Sequence, residues 1–494
     1  MPKELPGFYY DSEKNRYFPV KGPIPGSFRK RKSPPPASTA KAKEKCKCLK
    51  TTSNNLLQAR ELYGQVITSR KGKFSFQMEY QKRRASQPMI WKFDDTERMV
   101  DNALEQMTVG VERLQGIVET DMLLACSQNG LFCLFHVGKD GEELDYGVKL
   151  PHRVWTSNAG ESTERVELPG LAWKRLRPSQ HIPSTISCIK MCQRDNHPVE
   201  NTSTNHVLIT TLGSEISGGS VHILNLSEPF NINSNVVWRE ISEVTSFKNT
   251  VWTADCTFDG SRAVIGTNAG AAVVNIDTGT TSWICRCKSD VLSLQLDQSG
   301  NIALCGLRNG TIFSVDARQK PRNISNRLPR NELPFHPRET SSGRAKKFHL
   351  ERLLLKGNLC SFDTISMPSS ISCITSLLLH DQYFLASSMD GSLKLYDNRL
   401  TQRGALQSYE GNVNSHTRIQ LGVDPSESLV MSGGEDGHLR IWSIKSGEML
   451  FQEKIMNEIP SLLCWPRMGG IYGVQRTQGA WLGSQEGLFH IGWT

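Results

Sequence analysis

From about residue 110 onward, apolar and polar positions alternate in short blocks rather than at helical spacing. Each block is an apolar strand with small residues, then a turn closed by glycine, then a second strand of period two. Ile302-Ala303-Leu304-Cys305-Gly306, the Asn309-Gly310 turn and Thr311-Ile312-Phe313-Ser314-Val315-Asp316 make one such unit. Phe384-Leu385-Ala386-Ser387-Ser388, the Asp390-Gly391 turn and Ser392-Leu393-Lys394-Leu395-Tyr396-Asp397 make another. The turn needs positive φ, which glycine supplies without steric cost. Seven units follow one another, marked by Gly130, Gly219, Gly270, Gly310, Gly391, Gly437 and Gly487.

The gaps between these markers are 89, 51, 40, 81, 46 and 50 residues. Four of the six lie near the period of about 40–45 residues of WD-type propeller blades, and the two long ones are one period plus an insertion. The predicted fold is all-β: a seven-bladed WD-repeat β-propeller over residues 93–494, with a basic, largely disordered N-terminal arm over 1–92 that contains a short helix. The last unit ends near Thr494, so ring closure is expected to borrow a strand from before residue 113. Trp91-Lys92-Phe93 and Val109-Gly110-Val111 are the candidates.

Charge divides the chain in the same place. Residues 1–92 carry a net +15 and the remainder −6, so the overall +9 describes neither part. Within the arm, Phe8, Tyr9, Tyr10, Tyr17 and Phe18 crowd into an aromatic island over 5–18, which wants a surface to cover. Residues 19–50, rich in Pro, Lys, Ser and Ala, read as a linker. Arg29, Lys30, Arg31 and Lys32 form a basic cluster that reads as a nuclear address or as a solvated stretch. Over 53–66, Ser53 is a helix cap, and Leu56, Ala59, Tyr63 and Val66 share a face. Such a helix either enters a partner's groove or packs on its own domain. A second basic, Pro-rich stretch, at about 319–369, is an insertion between the fourth and fifth blades, read as a tolerated surface loop or a functional one.

No phosphate-cradling Gly loop, no His-Glu-x-x-His and no Gly-x-Ser-x-Gly occurs, and no nucleophile is paired with a base. The 13 cysteines, Cys126 and Cys305 among them, mostly sit in apolar runs as small core residues. An enzyme, a cofactor and a structural metal are not expected. Nor is a transmembrane helix or a signal peptide.

Two successive blades end alike, in Val315-Asp316-Ala317-Arg318 and Tyr396-Asp397-Asn398-Arg399. Two arginines displayed on one rim make a paired cationic patch suited to carboxylates and carbonyls of a protein partner. Blades ending Trp-Asp-x-Arg are the signature of WD-repeat substrate receptors of cullin-4 RING ubiquitin ligases, and this chain resembles that family. Val315 and Tyr396 stand in the tryptophan slot, while the Asp and Arg are kept in both copies. The segment Glu4–Asp11 with Arg16-Tyr17-Phe18 is similar to the start of one such receptor, as are Tyr396–Arg399 and Tyr409–Asn414 to its later blades.

The resemblance implies a non-enzymatic substrate-recognition subunit, nuclear or cytoplasmic. Asp316, Arg318, Asp397 and Arg399, with Leu56 and Tyr63 of the helix, would dock on the ligase's damaged-DNA-binding-type adaptor and through it on cullin-4. An unnamed protein substrate would be held elsewhere. The alternative is a WD-repeat scaffold of an RNA-processing or chromatin complex. Nucleic acid and membranes are not expected partners, although the basic arm keeps a nucleic-acid reading testable through its salt dependence.

Overall fold

Glycine decides where each predicted hairpin turns. In the computed structural model of the chain, Gly310 and Gly437 take φ of +83° and +72°. A Cβ on either would lie 2.4 or 2.3 Å from a main-chain oxygen, that of Met367 or Met456. The turn between the second and third strands is thus where the chain leaving the fourth strand crosses, and only glycine leaves room. The second unit departs from this rule: its positive φ falls on Gly213, at +86°, and not on Gly219.

The structure describes residues 8–11, 16–19, 56–58, 60–61, 64, 66–69, 72–113, 116–138, 151–155, 172–175, 180–194, 204–214, 217–226, 230–231, 241–318, 359–465 and 479–493. The basic cluster Arg29–Lys32, Tyr63 and residues 319–358 of the insertion lie outside them. Two compact units result, Met1–Lys45 and Cys46–Thr494. In the first, Phe8–Asp11 and Arg16–Pro19 pair as an antiparallel hairpin, with Tyr9 opposite Phe18 and Tyr10 opposite Tyr17.

The second unit is the seven-bladed β-propeller. Blade 1 is built on Ala103–Arg113, Gly116–Cys126, Leu131–Gly138 and Ala172–Arg175. Blades 2 to 6 follow as four-stranded antiparallel sheets beginning at Ile186, Val251, Val291, Ile371 and Leu421. Leu359–Ser366, at the end of the expected insertion, is the fourth strand of blade 4. In blade 7, Leu462–Cys464, Gly479–Ser484 and Gly487–Gly492 are joined by Met89–Phe93 and then His152–Trp155.

Trp91-Lys92-Phe93 is therefore the closing strand, with Trp91 opposite His490 and Phe93 opposite Leu488. Val109-Gly110-Val111 lies instead in the innermost strand of blade 1. The boundary expected at 92/93 falls inside the closing strand. Ahead of it, the hairpin Val66–Ser69/Gly72–Ser75 and the helix Phe76–Ala85 occupy what the charge pattern marks as arm. Val66 begins that hairpin and does not belong to the helical segment, whose described residues are 56–58 and 60–61. The helix Phe76–Ala85 is tied to the C-terminus, Arg84 Nη2 donating to the Trp493 carbonyl at 3.1 Å.

Blades bury their faces against each other, and one group at the closure is titratable. His490 is 5% exposed, packs edge-on to Trp481 at 4.8 Å, and its Nδ1 has no partner among the described residues. Burial pushes its pKa down to about 4. The unfolded chain then takes up this proton first as pH falls, so stability is full above the ordinary pKa near 6.5 and is lost down to about 4. At about 1.4 kcal/mol per pH unit the loss is on the order of 3 kcal/mol. The urea midpoint of the wild type is expected to fall across that window, and His490→Phe to flatten the fall.

Candidate functional site

In each blade the first and third strands run parallel, so the turns that follow them share one face of the ring, here the lower face. The third strands Thr311–Asp316 and Leu393–Asp397 deliver both Asp-x-Arg pairs there on adjacent blades, 4 and 5. Both pairs fold the same way. Arg318 donates Nε–H to Asp316 Oδ1 at 3.0 Å and Nη2–H to Oδ2 at 2.8 Å, and its backbone N–H also reaches Oδ1 at 2.9 Å. Arg399 repeats the fork on Asp397 at 3.2, 3.2 and 2.8 Å.

The carboxylates are buried, while the Arg318 and Arg399 side chains are 61% and 67% exposed. The hydrogen bonds from Arg399 hold the Asp397 carboxyl below the ordinary carboxylate range, and the same bonds raise the Arg399 guanidinium. Both charges therefore persist across the physiological range. The fork uses two of the five guanidinium N–H groups of Arg399. Its side chain is held in one geometry before any partner arrives, which lowers the entropy lost on docking. Blades 3 and 6 end their third strands differently, at Asn275 and Ser443, with the next turn closed by Gly279 and Gly447 bonding back to their carbonyls.

The tryptophan slot is filled soundly in each case. Val315 is 0% and Tyr396 2% exposed, Tyr396 stacking on Phe384 at 5.5 Å, while Trp442 of blade 6 is itself fully buried. Loss of the tryptophan from blades 4 and 5 leaves their packing intact.

The lower face also carries apolar side chains that the pattern of strand residues does not single out. Phe258 in blade 3 and Leu378, Leu379, Leu400 and Leu406 in blade 5 are all exposed. Leu378 and Leu379 are presented by a built turn: Glu427 of blade 6 accepts from the N–H groups of Leu378, Leu379 (2.7 Å) and His380 (3.1 Å), and pairs with His380 Nδ1 at 2.9 Å. Glu427→Ala removes charge-assisted bonds worth about 1.5 kcal/mol or more. Amide exchange at 378–380 should then accelerate roughly tenfold with little change elsewhere, read by hydrogen–deuterium exchange.

Leu56 is placed differently from the arginines. It is 6% exposed in a helical stretch whose Arg60 guanidinium lies 5.1 Å over the Phe76 ring, whereas Leu57 is exposed. Leu56 is thus covered by its own unit.

Comparison with known proteins gives partial matches. The model of the WD domain, G-beta repeat, matches residues 363–397 and 404–443, which include Asp397 and the strands on either side of it. DDB1- and CUL4-associated factor 4-like protein 2 of Homo sapiens is 38% identical over 109 residues, 21% of this chain and 27% of that protein. DDB1- and CUL4-associated factor 4 of Bos taurus is 27% identical over 190 residues, 37% of this chain and 31% of that protein. The chain thus spans under a third of the length of these two relatives. WD repeat-containing protein 21 of Schizosaccharomyces pombe is 23% identical over 464 residues, 90% of this chain and 88% of that protein.

Proposed function

We propose that this WD40-repeat propeller is the substrate-recognition subunit of a cullin-4 RING ubiquitin ligase. Its lower face docks on the damaged-DNA-binding-type adaptor, and the chain itself does no bond chemistry. The observation that carries the reading is the pair of preorganised Asp–Arg forks on adjacent blades, set among exposed leucines, in a chain whose partial relatives are named for association with DDB1 and CUL4.

Docking a receptor on a ligase adaptor raises the effective concentration of its substrate near the ubiquitin-charged enzyme. A planar guanidinium locked by its own aspartate offers a partner carbonyl or carboxylate a fixed fork of donors. The leucines exclude water around it, as the surroundings of an interface anchor do.

Affinity capture of the tagged full chain from cells tests the reading. The adaptor and cullin-4 are expected among the captured proteins, and Arg399→Ala is expected to reduce both. Capture of an RNA-processing or chromatin assembly without the adaptor would assign the chain to the scaffold reading.

A further inference from the structure

The inner strands of blades 2 to 5 share an irregularity: the register slips at Ile186/Cys188, Val251/Thr253, Val291/Ser293 and Ile371/Cys373. A bulge re-aims the residue it skips. The skipped residues are Ser187, Trp252, Leu292 and Ser372. Trp252 alone among them is large and aromatic, and it sits beside the start of the first strand, on the upper face, opposite Arg318 and Arg399.

Two arginines from other blades converge on it. Arg308, in the blade 4 turn between second and third strands, lies 5.5 Å over the indole ring and pairs with Asp290 at 3.1 Å. Arg418 enters from the connection to blade 6 and donates Nη1–H to the Trp252 carbonyl at 2.8 Å. Blades 4 and 5 separate blade 3 from blade 6, so this bond spans the mouth of the central channel. Arg418 has no carboxylate partner among the described residues. The Trp252 indole N–H is covered and lacks an acceptor among them.

The loop that carries Arg418 is fixed rather than loose. Glu435 accepts from the Ser415 and Thr417 hydroxyls, each at 2.6 Å, and from the N–H groups of His416 and Thr417.

We propose that the channel mouth on the upper face is a binding site for an acidic peptide segment, its carboxylates gripped by Arg308 and Arg418 against Trp252. Guanidinium groups bind carboxylates through paired N–H donors, and the ring beneath supplies apolar contact and cation–π support. As the substrate-binding half of a receptor, this site rests on the function proposed above. It lies on the opposite face from the docking arginines, so both partners are held at once.

The test titrates the purified full chain, without adaptor, into an N-terminally labelled hexaglutamate peptide at physiological salt, read by fluorescence anisotropy. A free-acid and a C-terminally amidated peptide distinguish terminal from side-chain carboxylates as the group held. The basic arm is common to all variants, so the reading is the difference between them. Arg308→Ala and Arg418→Ala are each expected to weaken binding about tenfold, and Lys445→Ala, on the lower face, to leave it unchanged. Arg308 is more than half exposed, so its variant tests the site even if Arg418→Ala folds poorly. No binding by wild type, or equal binding by the folded Arg308→Ala variant, would overturn the proposal. Because no adaptor is present, either result leaves the docking reading to its own experiment.

Discussion

Removal of residues 1–93 should leave no soluble folded ring, whereas removal of residues 1–45 should leave the propeller intact. The first truncation takes away the strand Met89–Phe93, which pairs residue for residue with Leu488 to Gly492. Ile90, Trp91 and Phe93 are 0, 2 and 1% exposed. Emptying one large apolar site costs about 3–5 kcal/mol, and total stability is only about 5–15 kcal/mol. Losing three such residues together consumes most of that margin. It also bares the edge of Gly487–Gly492, a template for aggregation. The second truncation falls at the boundary between the two compact units. Trp91→Ala in the full chain isolates one residue of the closure and should lower unfolding free energy by about 3–5 kcal/mol in urea titrations. A well-folded 94–494 fragment, judged by near-ultraviolet circular dichroism, would contradict this account of closure.

The second large effect is on docking. Reversing the charge of both lower-face arginines, Arg318→Glu with Arg399→Glu, is expected to abolish adaptor capture. Each substitution sets a new carboxylate against Asp316 or Asp397, so the fork opens and the local charge turns from cationic to anionic. Like charges facing a complementary partner cost several kcal/mol, and a loss of about 1.4 kcal/mol is already tenfold in affinity. Both arginine side chains are mostly exposed, so the fold should tolerate the change. The milder pair Leu378→Ser and Leu379→Ser should weaken capture without the same reversal.

What could be read from the residues follows the range over which each feature is encoded. The glycine turns were legible because alternation and positive φ are local properties, satisfied within a few residues. The paired Asp-x-Arg ends were legible because one motif recurs at one place in successive repeats. Ring closure was half legible. Trp91-Lys92-Phe93 and Val109-Gly110-Val111 both alternate in strand fashion, and only the pairing with Gly487–Gly492, almost 400 residues away in the chain, separates them.

The helix Phe76–Ala85 was missed because it buries little beyond Phe76 and Ala85 and its basic residues read as arm. Leu378 and Leu379 look like core leucines until the Glu427 turn is seen to hold them outward. Trp252 and Arg418 stand 166 residues apart and meet only because the ring brings blades 3 and 6 to a common axis.

The most direct measurement is quantitative capture of the adaptor by full-length wild type and by the folded Arg318→Glu/Arg399→Glu variant, with folding checked by circular dichroism. The receptor account predicts adaptor bound to wild type and lost from the variant. Equal capture by both, or none by wild type, would contradict it.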